Sequence, residues 1–344
     1  MVVADVGCGT GVLGLMAVKA GASRVYAIDN ASILRIAERT FQLAGLADRI
    51  TCVSATVAQA VLPEMVDVIL CDHVGYFGFD YGITTLLQDC RRLLKPCGSI
   101  IPRHLDLSVA AVETDQWQIA VAGWRIAEVP PEFHWIAETS ANTLQSVRLS
   151  REGNEFLARP QLLGRIELDE TAGQARHWTA TLRVSRNGTM HGLAGWFNCV
   201  LAGDIAMTNA PMQEDAIRRP QAFMALAEPI DVRIGDKIHS RVLARPDEQI
   251  IAWTIEHEPS GKRASHSTWS SLPLGPEDSL RTKPDHVPRL KENGEAIRTV
   301  LESCDGERSV DEIIAAVKRK HANLLPSETA LKHFVYSVLA GKSQ

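Results

Sequence analysis

The sequence predicts a multidomain chain: a doubly wound α/β sheet of Rossmann type, then an antiparallel all-β barrel or sandwich, then a small helical, winged-helix-like domain. Three observations predict it. Up to about residue 102, apolar strand segments alternate with helical stripes, the pattern of a parallel sheet covered by helices. From about 103 to 274 the apolar period shortens towards two, and turn residues separate the runs. Beyond a linker rich in proline and charge, three stripes recur at helical spacing. The domains expected are therefore 1–102, 103–274 with a possible arm at 117–149, a linker at 275–286, and 287–344.

The first domain opens on an apolar strand, Val2-Val3-Ala4-Asp5-Val6, that runs into Gly7-Cys8-Gly9-Thr10-Gly11. Leu13, Met16, Ala17 and Ala20 then follow helical spacing, and Gly21 supplies a stop. Residues 24–29 form a second apolar run closed by Asp29. Ile33, Ile36, Ala37 and Phe41 mark the next helix, ending near Gly45. Residues 50–53 read as a third strand. Residues 66–72 read as a fourth, apolar enough to be buried on both faces. A helix is expected over 84–94, broken by Pro96-Cys97-Gly98.

The glycine turn carries chemistry. Glycine at a strand–helix corner lets a ligand approach backbone where a Cβ would collide. An acidic residue roughly 20 positions on, here Asp29, can accept the hydroxyls of a ribose. The spacing departs from the dinucleotide fingerprint, because the third glycine arrives one position early, at Gly11, and Val12 stands where glycine is wanted. Asp5 would also set negative charge where a pyrophosphate should lie. Both facts disfavour NAD and FAD and suit S-adenosylmethionine, which has no phosphate and carries a sulfonium and an ammonium. The bland alternative is a plain glycine turn in another α/β sheet.

Composition bounds the rest. The 344 residues hold 36 Lys+Arg against 41 Asp+Glu, a net charge of −5. No long basic stretch advertises nucleic acid. The seven cysteines are scattered with no C-x-x-C pair, which predicts a reducing compartment and no metal. No signal peptide or bilayer-length apolar run is seen, so a soluble cytoplasmic protein is expected. Met1 falls inside the first strand. This suggests a misassigned start, a fragment, or a cofactor cover supplied from elsewhere.

In the middle domain, 105–109, 179–184 and 250–255 read as strands, with turns at Arg186-Asn187-Gly188 and Pro259-Ser260-Gly261. Residues 117–149 are richer in tryptophan and helix formers, hence the possible arm. In the last domain Ile297, Val300, Leu301 and Cys304 form one stripe. Ser309 and Glu312 form a capping box ahead of Val310, Ile313, Ile314 and Val317. Ser327 opens a third helix with Leu331, Phe334, Val335, Val338 and Leu339.

The string Asp5-Val6-Gly7-Cys8-Gly9-Thr10-Gly11 resembles motif I of class I methyltransferases. A methyltransferase sheet followed by a β-barrel resembles the protein arginine methyltransferases. Asp72-His73-Val74-Gly75-Tyr76 is similar to the loop after that family's fourth strand. His191-Gly192-Leu193-Ala194-Gly195-Trp196-Phe197 and Gly235-Asp236-Lys237-Ile238 are similar to parts of its barrel. The resemblance covers about residues 2–272. It implies cofactor contacts at Asp5, Gly7, Cys8, Gly9, Gly11, Asp29, Asn30, Thr56, Val57 and Asp72. It also implies two carboxylates that hold a guanidinium and aim one nitrogen at the sulfonium methyl.

This chain departs from the family in several places. Asp72 stands at the first glutamate position, one methylene shorter. Tyr81 stands at the second, with Asp80 beside it. Asp72 and Asp80 are the candidate catalytic residues and Tyr76 a candidate substrate contact. Ile217, Arg218 and Arg219 occupy the positions of the family's threonine–histidine–tryptophan loop. Arg218 and Arg219 are therefore candidate substrate contacts, suited to an anionic group. Ala58 replaces a glutamate that contacts adenine. The family's N-terminal aromatic helix and its arginine to the cofactor carboxylate have no counterpart in this sequence.

The string Leu301-Glu302-Ser303-Cys304-Asp305-Gly306-Glu307-Arg308-Ser309-Val310-Asp311-Glu312-Ile313 resembles the PqqD-type domain, a likeness that covers about residues 287–340. This implies capture of a leader peptide as an added strand. The expected function is S-adenosylmethionine-dependent methyl transfer to a nitrogen of a protein or peptide side chain, arginine first. A different N- or O-acceptor in modified-peptide biosynthesis is one alternative, and a non-catalytic peptide-binding scaffold is another. A homodimer is expected through the arm.

Overall fold

The computed structural model describes residues 1–168, 175–245, 250–272, 287, 289–322, 324–325 and 327–342. The linker expected at 275–286 lies outside the described residues. The chain divides into two compact units, Met1–Pro273 and Leu274–Gln344.

The first unit begins with the strands β1 (Val2–Val6), β2 (Arg24–Asp29), β3 (Ile50–Ser54), β4 (Val66–Leu70) and β5 (Leu94–Ile101). Their order is β3-β2-β1-β4-β5, and every pairing is parallel. The chain leaves β1 towards β2 and β3, then returns to lay β4 on the other flank. The strand order therefore reverses between β1 and β4, where ligands settle beyond the carboxyl ends of such sheets.

Helices α1 (Val12–Lys19), α2 (Leu34–Leu43) and α3 (Ile83–Cys90) cover the sheet. On α1 the buried residues are Gly14 and Val18, while Met16 and Ala20 of the expected stripe are exposed. The cause is local. Gly14 has no Cβ, so the helix comes down onto Asp5 and turns its other side outward. On α2 Leu34, Ala37 and Phe41 are buried, whereas Ile36 faces out. β4 is shorter than expected and buries only Val66 and Ile69 fully. Val66 and Ile69 enter the main core, while Val68 and Leu70 are only partly covered where they pack beside Val3 and Val25. α3 stops at Cys90, and one tight turn over Arg91–Leu93 carries the chain into β5. Pro96-Cys97-Gly98 lies inside that strand, where the pairing with β4 slips.

Two antiparallel sheets follow. One takes β6 (His104–Val112), β7 (Gln145–Val147), β8 (Gln161–Glu167), β10 (Gly188–Ala202) and β12 (Gln221–Val232) in the order β7-β12-β10-β6-β8, with β11 (Ile205–Thr208) paired to β10. The other takes β9 (Arg176–Arg183), β13 (Lys237–Arg245), β14 (Ile250–His257) and β15 (Lys262–Ser267) in the order β15-β14-β13-β9. Inward residues of both sheets and of the first domain form one continuous core, in which Ile69, Phe77, Phe197, Met224, Val242 and Trp253 are buried. The two domains expected at 1–102 and 103–274 thus share one interior.

The expected arm carries α4 (Gln116–Ala120) and α5 (Ile136–Ala141). It packs on its own barrel through Trp117, Val121, Ala137 and Ala141 against Trp196 and Phe223. The Trp117 indole donates to the Leu226 carbonyl at 2.7 Å. Ile119, Ile126, Phe133 and Trp135 remain exposed.

The second unit has α6 (Glu292–Glu302), α7 (Val310–Lys320) and α8 (Glu328–Lys342) around Val300, Ile313, Ile314, Val317, Leu331, Val335 and Val338. The capping box at Ser309 and Glu312 forms in full, satisfying amides that the first turn of α7 leaves open. Among the described residues this unit contains no strand.

Candidate active site

The corner after β1 is built by three glycines in the left-handed region, Gly7, Gly9 and Gly11, with φ of 66°, 53° and 83°. Each faces something different. A Cβ on Gly11 would collide with the Phe41 ring, and one on Gly7 with the His73 imidazole. A Cβ on Gly9 would meet nothing within 4 Å, so its backbone is the open part of the corner.

Carboxylates frame this opening. Asp5 is 1% exposed and accepts the Gly14 amide at 2.7 Å. Burial pushes its carboxyl up to about 6, helped by the negative charges of Asp72 and Asp29 and opposed by the Gly14 bond. Asp29 accepts the Gly9 amide on Oδ2 and the Ala31 amide on Oδ1, each at 2.9 Å. Asp72 lies exposed just beyond β4, and Asn30 is exposed beside Asp29. Cys8 is buried, and burial lifts its thiol to about 12, which leaves it an inert wall residue.

These groups follow the strand order. Thr56 and Val57 come after β3, Asp29 ends β2, Gly7–Gly9 follow β1, and Asp72 and His73 follow β4. Neighbouring strands lie about 4.8 Å apart, so the row spans roughly 14 Å.

The loop after β4 is tied down from both sides. Asp80 folds back over Gly75 and accepts the Tyr76 and Phe77 amides at 3.0 and 2.7 Å. Burial raises its carboxyl above the usual range, while these amides and the Arg219 charge oppose the shift. Arg219 donates to the Val74 carbonyl. The rings of Tyr76 and Tyr81 meet edge to face at 5.7 Å, and their hydroxyl hydrogen bond raises the Tyr81 phenol.

Comparison with known proteins decides what this arrangement is. A family model described as a methyltransferase domain matches residues 3–98. Residues 3–98 are a methyltransferase domain. The chain is similar to the histone-arginine methyltransferase CARMER of Culex quinquefasciatus, 27% identical over 270 residues, 72% of this chain and 43% of that one. It is similar to a probable protein arginine N-methyltransferase 6 of Arabidopsis thaliana, 30% identical over 59% of this chain and 48% of that one. It is similar also to protein arginine N-methyltransferase 6 of Xenopus laevis, 25% identical over 72% and 76%. The chain therefore spans less than half the length of the first two. Two solved structures share the fold at 20% identity. Arabidopsis thaliana protein arginine methyltransferase 10 gives a TM-score of 0.65 over 78% of this chain and 89% of that one. Trypanosoma brucei PRMT1, in an enzyme–prozyme heterotetrameric complex with AdoHcy, gives 0.66 over 77% and 87%. The fold is that of the protein arginine methyltransferases: a methyltransferase domain followed by a β-barrel.

The residues of the methyltransferase domain fit S-adenosylmethionine. Asp5, Asp29 and Asp72 lie close enough together to raise the Asp5 carboxyl, and this negative field beside the glycine corner favours a ligand of net positive charge and opposes a pyrophosphate. Asp29 uses one lone pair of each oxygen on backbone amides and keeps the others.

Not every candidate comes to the hollow. Asp80 has both oxygens committed to the loop backbone, and Arg219 has its guanidinium on the same loop from inside. Arg218 is exposed.

Two supporting residues left no usable signal in the sequence. Fully buried Asn209 accepts the Phe197 amide at 3.0 Å and donates to the Tyr76 and Pro220 carbonyls, each at 2.8 Å. It thereby locks the Gly-Tyr loop to the barrel. Arg92 places Nη2 at 2.6, 3.0 and 2.6 Å from the Val57, Ala58 and Ala60 carbonyls and holds the turn after β3. An isolated asparagine in a turn and one arginine of a pair carry no periodicity that distinguishes them.

Proposed function

We propose that the chain is an S-adenosylmethionine-dependent methyltransferase that modifies a nitrogen on a protein or peptide side chain, with arginine the first acceptor. The observation that carries this reading is the cluster of Asp5, Asp29 and Asp72, near enough to repel one another, beside a glycine corner whose backbone is open at Gly9. When bound, the cofactor supplies a methyl group on a positively charged sulfur. Asp29 receives the ribose hydroxyls, and the turn at Thr56 and Val57 flanks the base. Asp72 faces the acceptor. A guanidinium stays protonated in proteins, so the site must localise its charge and orient one nitrogen, which is work for a fixed carboxylate. Tyr76 and Tyr81 wall that side, and Arg219 and Asp80 hold the wall in place.

Titration calorimetry with S-adenosylhomocysteine tests the cofactor claim, with saturable heat expected. Mass spectrometry of arginine peptides after incubation with S-adenosylmethionine tests the acceptor, with a gain of one methyl mass expected. No mass change on any arginine peptide, together with a methylated lysine, histidine or hydroxyl side chain, would move the acceptor elsewhere.

A second reading is a subunit that binds cofactor and peptide without turnover. It is favoured by a phenol, Tyr81, in place of the second carboxylate and by the commitment of Asp80 to the backbone. Bound S-adenosylhomocysteine with no methylated product of any kind would select it.

The finer partners belong to the same proposal. The exposed arm residues Ile119, Phe133 and Trp135 and the exposed Val12, Met16 and Ile36 of α1 and α2 offer apolar surface for a homodimer. The helical unit, PqqD-like in its string around Asp305-Gly306, would present a substrate or leader peptide and raise its local concentration. All seven cysteines are free, in keeping with the cytoplasm. No described helix is long and apolar enough to cross a membrane.

A further inference from the structure

His73, just beyond β4, brings its side chain to the glycine corner. Its imidazole covers Gly7 so closely that no Cβ fits there. Its Nδ1 is shut off from solvent and has no hydrogen-bond partner. A buried nitrogen without a partner is costly, and such groups are few in folded proteins. A half-turn about Cβ–Cγ keeps the ring in its plane and exchanges the edge that carries Nδ1, so the nitrogen is not bound to its sealed position.

The row of strand ends says what this nitrogen is for. With the ribose on Asp29 at the end of β2 and the base beside β3, the rest of the ligand runs past Gly9 and Gly7 towards β4. That remainder is an amino acid: an ammonium, a sulfur and a carboxylate. Asp5, Asp29 and Asp72 serve the positive groups and repel the carboxylate. At this end of the row the imidazole of His73 lies against Gly7 and can donate a hydrogen bond to the carboxylate.

Resting on the cofactor reading above, we propose that His73 binds the α-carboxylate of the cofactor's amino-acid end. It acts there as a binding and orienting residue that sets the sulfur over Gly7–Gly9.

The test compares two ligands on three proteins. S-adenosylhomocysteine has the amino-acid end, and 5′-methylthioadenosine shares the nucleoside and sulfur but lacks it. Calorimetry on the unsubstituted chain, His73→Leu and His73→Gln is expected to give a roughly tenfold loss for S-adenosylhomocysteine in His73→Leu. 5′-Methylthioadenosine should bind unchanged, and His73→Gln, which keeps a donor, should recover part of the loss. Equal losses for both ligands would mean that the ring merely props Gly7, and would overturn the proposal. So would no loss for either. An unsubstituted chain that binds neither ligand would instead overturn the cofactor reading, and this inference with it. Melting curves of the two variants report folding, and His73→Gln keeps the comparison decisive if His73→Leu does not fold.

Discussion

Asp29 Oδ2 accepts the amide of Gly9 at 2.9 Å, joining the end of β2 to the open backbone of the β1–α1 corner. The residue expected to meet the ribose therefore also shapes the surface beside it. Asp29→Ala removes both functions. A loss of at least about tenfold in S-adenosylhomocysteine affinity is expected, together with roughly 1–2 kcal/mol of unfolding free energy. Calorimetry and urea denaturation check the two numbers separately, and unchanged affinity would remove Asp29 from the ligand site.

Asp5 makes the site pH-dependent in two opposite ways. Its carboxyl sits at about 6 in the folded protein against an ordinary 3.8. Between these values the folded chain holds a proton that the unfolded chain has released. Unliganded stability should therefore rise as pH falls through 6, by up to about 2–3 kcal/mol. Affinity for the cationic cofactor should fall over the same range, because a negative charge is lost. Asp80 and Asp89 are also raised, mainly by burial, and push stability the same way. The informative quantity is thus the difference between the parent and Asp5→Asn, which should flatten both profiles. Melting temperatures from pH 7 to 4.5, with and without S-adenosylmethionine, measure it.

Tyr81 distinguishes the two readings of function. Tyr81→Glu supplies a second carboxylate at the mouth of the acceptor side. If the chain turns over arginine, kcat/KM on an arginine peptide should rise on the order of tenfold, since a charged fork orients a guanidinium better than a phenol. Tyr81→Phe should change little beyond loss of the bond to Tyr76. A Tyr81→Glu protein that remains silent on arginine peptides, while binding S-adenosylhomocysteine, would favour the non-catalytic subunit.

Arg92 bridges from the turn after α3 to three carbonyls of the turn after β3. Arg92→Met should loosen the segment proposed to flank the base. KM for S-adenosylmethionine is expected to rise several-fold with kcat nearly unchanged, the signature of lost binding without lost transition-state contact. Stability should drop by about 1.5–3 kcal/mol. A kcat loss with normal KM would assign Arg92 a different role.

Asn209 should matter more to folding than its size suggests. Asn209→Leu leaves the Phe197 amide and the Tyr76 and Pro220 carbonyls without their buried partner. A destabilisation of about 3 kcal/mol or more is expected, read from urea unfolding. If the Gly-Tyr loop lines the acceptor side as proposed, peptide methylation should fall further than cofactor binding.

What the amino-acid order determined by itself was local or repetitive. The strand–helix alternation, the glycine corner and Asp29 were all legible, because backbone conformation and strand spacing dictate those residue types within a short window. The capping box at Ser309 and Glu312 was legible for the same reason. Tertiary structure alone decided which carboxylates stay open and which are tied to backbone. Asp72 and Asp80 look alike in sequence, yet Asp80 turns back onto Tyr76 and Phe77 while Asp72 stays exposed. It also decided the roles of Arg92, Arg219 and Asn209, whose partners lie 35, 145 and 133 positions away. The physical reason is that a side chain's direction depends on what packs behind it, and that packing is set by segments no local pattern connects.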